Sequence, residues 1–106
     1  MLQIASARWS DGPEPRVLVS GDWSLGISTP PTCDLLEGAN GVSGWYDPYS
    51  GMSIDGGSFS REFVAARDRS PAPRQDVEYR VRCEISQDTG RTIEATAPVQ
   101  GSPPAP

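Results

Sequence analysis

The sequence predicts an all-β protein, an antiparallel β-sandwich of about seven short strands, on three observations. Hydrophobic residues make up only 36% of the 106, while glycine and proline contribute 11 each, a balance that breaks a chain into short strands and turns. Apolar and polar residues alternate with period two in several short runs. No segment carries the apolar repeat of an amphipathic helix. At this length one domain can bury a single two-layer core, and residues 1–100 are read as that domain.

Residues 2–9, LQIASARW, alternate loosely and run into SDGPEP, whose Asp-Gly and two prolines end any regular element. Residues 16–23, RVLVSGDW, set Val17, Val19, Gly21 and Trp23 on one face and Leu18, Ser20 and Asp22 on the other. That is a strand. After the breaker GISTPPT, the run CDLLEG at 33–38 places Cys33 and Leu35 opposite to Asp34 and Leu36, a short third strand. Segment 38–57 holds six of the eleven glycines, and regular structure is poorly encoded there, with GWYD and GMSID as candidate short edge strands. Residues 58–65, SFSREFVA, read as a strand with Phe59 and Phe63 on one face and Arg61 between them. A charge facing a closed core is costly, so the expectation is an edge position or a bulge, with Arg61 reaching water and its stem lying over the phenylalanines. The connection ARDRSPAPRQD is polar and broken by prolines.

The most regular stretch is VEYRVRCEISQDTGRTIEATAPV, residues 77–99. Tyr79, Val81, Cys83 and Ile85 point one way and Glu78, Arg80, Arg82, Glu84 and Ser86 the other, the pattern of a half-buried strand. With Asp88-Thr89-Gly90 as a three-residue loop and Gly90 left-handed, Ile85 falls opposite Ile93, Cys83 opposite Ala95 and Tyr79 opposite Val99. Residues 101–106, GSPPAP, are read as a disordered tail or linker.

Charge composition removes whole classes of chemistry. There is no histidine, and the nine positive charges are all arginine, against fourteen carboxylates, for a net charge of −5. Ser-His and Cys-His nucleophile pairs, imidazole metal ligands, Schiff bases and a phosphate-clamping P-loop lysine are all ruled out. No catalytic residue, cofactor or metal is expected. Asp47 and Asp55 flank a loop without the D-x-D-x-D-G spacing of a calcium site, and loop aspartates ordinarily cap turns. The acidic balance disfavours nucleic acid, although residues 61–82 carry six arginines against four acids. Apolar runs fall short of the ~20 residues that cross a bilayer, so membrane insertion is not expected.

Two features remain. Cys33 and Cys83 sit on the apolar faces of the third and the penultimate long strand, and a disulfide between them is expected if those strands are neighbours or face each other across the core. The alternative is two buried thiols acting as small hydrophobes. The loop NGVSGWYDPYSG sets Trp45, Tyr46 and Tyr49 beside Asp47 among small polar residues, a mixture suited to adaptable recognition. The competing reading is that Trp45 or Tyr46 covers an open end of the core. Trp9 and Trp23 follow strand-like runs and are read as core or rim.

The pattern DGGSFSREFVA…P…VEYRVRCEISQDTGRTIEATAPV resembles the last three strands of immunoglobulin-like and fibronectin type III-like modules of bacterial and phage surface proteins. It departs from antibody-type domains, since Tyr79 lies four residues before Cys83 rather than two and Trp45 stands among glycines. The resemblance implies an Ig-like sandwich with a non-catalytic structural or adhesive role, in contact with a protein partner or a second copy, on a virion or a bacterial cell surface. Two rivals accompany it: a glycan-binding module stacking sugars on Trp45, Tyr46 and Tyr49, and a component of a cytoplasmic assembly.

Overall fold

Described in the computed structural model are residues 2–10, 15–23, 31–42, 45–46, 53–55, 57–65, 73–86 and 90–103. The strands in chain order are β1 (Leu2–Trp9), β2 (Arg16–Trp23), β3 (Thr32–Glu37), β4 (Asn40–Gly41), β5 (Trp45–Tyr46), β6 (Ser53–Asp55), β7 (Ser58–Ala65), β8 (Tyr79–Ser86) and β9 (Thr92–Pro98). They form two antiparallel sheets packed face to face, one in the order β1-β2-β7-β5 with β6 also on β7, the other in the order β4-β3-β8-β9. The expected all-β sandwich is the observed fold, and the short edge strands fall within GWYD and GMSID.

Period-two alternation decides which residues meet between the sheets. Val17, Val19 and Trp23 of β2 and Phe59 and Phe63 of β7 face Cys33 and Leu35 of β3 and Tyr79, Val81, Cys83 and Ile85 of β8. The loose alternation of β1 has a specific cause. Its register with β2 shifts between Ile4 and Ser6, so one extra residue resets the parity: Leu2 faces the core on even numbers, Ala7 and Trp9 on odd ones. Gly21 lies opposite Ile4, and a Cβ there would run into the Gln3 carbonyl oxygen and come within 2.7 Å of the Phe59 ring, so glycine permits the close packing at this point.

The 77–99 hairpin pairs as the pattern requires. Ile85 is opposite Ile93 and Cys83 opposite Ala95, Val99 donates its N–H to the Tyr79 carbonyl at 2.9 Å, and Gly90 has φ of 86°. Arg61 differs from expectation. β7 is an interior strand, in unbroken register with β2 from Ser58 to Val64 and flanked on its other side by β5 and β6. There is no bulge to turn Arg61 outward, and it stays between the sheets at 5% exposure, opposite Val19.

One long side of the sandwich is sewn shut. Beyond β9 the chain leaves its sheet and forms a parallel bridge to β1 of the other: the Trp9 N–H donates to the Gln100 carbonyl at 3.0 Å, and the Gln100 N–H to the Ala7 carbonyl at 2.8 Å. Within the segment read as a tail, Gly101 and Ser102 are exposed. Pro103 is buried, and its carbonyl accepts from Gln75 Nε2 at 2.8 Å, while residues 104–106 lie outside the described ones.

Candidate functional site

Among the described residues the opposite long side is not bridged, and its geometry follows from how β3 pairs. Cys33 lies directly opposite Cys83 with Cα atoms 4.0 Å apart, the short spacing of a non-hydrogen-bonded pair, and the two side chains form a disulfide. The bond thus links neighbouring strands of one sheet rather than the two sheets. In an antiparallel ladder the residues at such positions turn their N–H and C=O groups away from the partner strand. Cys33 and Leu35 therefore present backbone groups outward, whereas Thr32, Asp34 and Leu36 bond to β8. Only two residues of β4 cover this edge, opposite Leu36 and Glu37, and Val42 adds one N–H to the Leu35 carbonyl at 3.1 Å. From Thr32 to the Leu35 N–H no strand among the described residues pairs with the outer side of β3.

Alongside this edge runs a cleft of about 520 Å³. Its inner wall is Cys33, Leu35, Val42, Trp45, Arg61 and Phe63, so it opens between the sheets where β3 and β4 face β7 and β5. At its mouth Asp34 and Arg82, cross-strand partners, form an ion pair of 3.1 Å. The hydrogen bond that Arg82 donates to Asp34, with Coulombic help from Asp34, Glu94 and Glu84, outweighs desolvation and raises the Arg82 pKa above its ordinary value. Arg82 is a permanent cation, and the outer face carries a row Arg82–Asp34 that ends at the outer edge of β3.

The sequence-predicted site residues divide. Trp45 lines the cleft, but its ring also packs edge-on to Trp9, centroids 5.9 Å apart, and Trp9 in turn meets Tyr79 at 5.2 Å. Covering the core end is thus one of its roles. Tyr46 is placed by its backbone in β5, opposite Val64. Asp47 and Tyr49 lie outside the described residues. Trp9 and Trp23 are buried at 6% and 8% exposure, so neither extends an aromatic strip beside Trp45. The reading from sequence missed Leu35, Val42, Arg61 and Phe63 as one surface, because they come from three separate segments with no local motif. The inward Arg61 was the one available signal. No protein-family model matches the chain, and no curated protein or solved structure matches it either, so function rests on the residues just described.

Proposed function

We propose that this chain is a non-catalytic immunoglobulin-like module that works by protein–protein contact, as a structural or adhesive component of a virion or a bacterial cell surface. The orders β1-β2-β7-β5 and β4-β3-β8-β9 parallel the ABED and CFG sheets of immunoglobulin-type sandwiches, with β4 as a further strand beside β3. The disulfide departs from that pattern by joining β3 to β8 inside one sheet. It suits an oxidising setting, which favours an external destination over a cytoplasmic assembly.

The observation that carries the reading is the β3 edge: among the described residues no strand pairs with it from Thr32 to the Leu35 N–H, and beside it lies a cleft lined by both apolar and charged side chains, while the other long side is bridged. The polar groups around the cleft are the Thr32 hydroxyl, the Asp34 carboxylate paired with Arg82, and the guanidiniums of Arg61 and Arg82. Burial of Trp9 and Trp23 counts against sugar stacking.

A photoreactive amino acid at Ala39, which is exposed and lines the cleft, tests this in the cells that make the protein. The expected result is a discrete protein adduct that is absent when the same probe replaces Glu94, exposed on β9. Equal labelling at both positions, or none, would refute it. Glycan-array binding lost in Trp45→Ala would instead establish the carbohydrate reading.

A further inference from the structure

We infer that the outer edge of β3 accepts an extended segment of a partner protein as an added strand, with apolar residues opposite Cys33 and Leu35 and a basic residue opposite Asp34. This deepens the contact reading above and rests on it. Three properties of the edge specify the occupant. First, the outward backbone groups are the Cys33 N–H and C=O and the Leu35 N–H, a donor–acceptor–donor series that extended main chain satisfies. Second, residues of the incoming strand opposite Cys33 and Leu35 point between the sheets, toward a cleft wall of Val42, Phe63 and the inward Arg61, where apolar side chains pack on Val42, Phe63 and the carbon stem of Arg61. Third, the residue between them joins the outer row as a third member beside Asp34. Cross-strand neighbours of opposite charge stabilise and like charges repel, so the row Arg82–Asp34 is continued by a cation. The net charge of −5 favours the same sign of partner at longer range.

Length is set by the neighbours. Pro31, which has no N–H, bounds the edge on one side, and Val42, bonded to the Leu35 carbonyl, bounds it on the other. Four residues, Thr32 to Leu35, remain, about 13 Å of strand. The short span blocks indiscriminate edge-to-edge pairing while admitting one segment with the right side-chain order.

The test uses a display library of random nonapeptides panned on the full chain. Selected peptides should share an apolar–basic–apolar core. Their binding should slow amide exchange at Cys33 and Leu35 by at least about tenfold, with little change at Asp34, whose N–H already bonds to β8. N-methylation of the bound peptide should abolish binding at alternate positions only. Asp34→Lys, at an exposed site, should turn the preferred central residue from basic to acidic. An empty selection, exchange unchanged at Cys33 and Leu35, N-methylation without alternation, or a central preference indifferent to Asp34→Lys would each overturn strand addition. Crosslinking from Ala39 that persists in such a case would leave the protein-contact reading standing; loss of both would remove both.

Discussion

Gly21 and Arg61 mark the two extremes of what a single position in this sandwich demands. At Gly21 any side chain collides with the Gln3 carbonyl and the Phe59 ring. Gly21→Ala is expected to cost about 2–3 kcal/mol, the scale of core overpacking, as a lowered midpoint in urea with unchanged slope. Arg61 was legible as an inward residue from the alternation of 58–65, but its surroundings were not. Its burial depends on β5 and β6 converting β7 from an edge into an interior strand, and those strands come from a glycine-rich segment with little local signal. Trp45 has the same history: its recognition-like setting was visible, while its contact with Trp9 spans 36 positions of chain and was not. A double-mutant cycle between Trp9→Leu and Trp45→Leu should return a coupling of about 0.5–1.5 kcal/mol, the worth of an edge-on aromatic pair; a value near zero would free Trp45 for recognition alone.

Among the elements, the β8–β9 hairpin was the most completely readable, because one buried face and one glycine turn impose the same register. β1 was readable as a strand but not as to its face, since its bulge puts two parities in one run of eight residues. The disulfide was foreseeable as a pair, yet its placement within one sheet required knowing that β3 and β8 are adjacent. That placement has a measurable consequence. Closing a loop of 50 residues stabilises by about 4 kcal/mol through the unfolded chain, while the β3–β8 backbone ladder does not need the bond. The double variant Cys33→Ala and Cys83→Ala should therefore lose about that much in denaturant titration and keep its far-ultraviolet β spectrum. Intact mass should rise by two hydrogen atoms when a thiol reductant reduces the Cys33–Cys83 bond.

For the whole molecule, the asymmetry between its two long sides organises everything else. One side is closed by the chain crossing from β9 to β1, and the other has a cleft beside an edge of β3 that no described strand pairs between Thr32 and the Leu35 N–H. Neither is encoded by any single segment, which is why the sandwich class was legible in the sequence and the site was not. Deleting 99–106 removes the Val99 and Gln100 backbone bonds and the Pro103 contact, and should lower the thermal midpoint by several degrees. An unchanged midpoint would show that the crossing does not hold the sheets together.

The cross-strand bond also sets how the protein responds to pulling. Tension applied at the two ends of the chain cannot extend the 50-residue span between Cys33 and Cys83, because load passes directly from one sulfur to the other. The fully extended chain should then reach roughly 200 Å, against roughly 380 Å when reduced. An oxidised module in a row of tethered domains would be a short, stiff link, and a reductant would roughly double its reach.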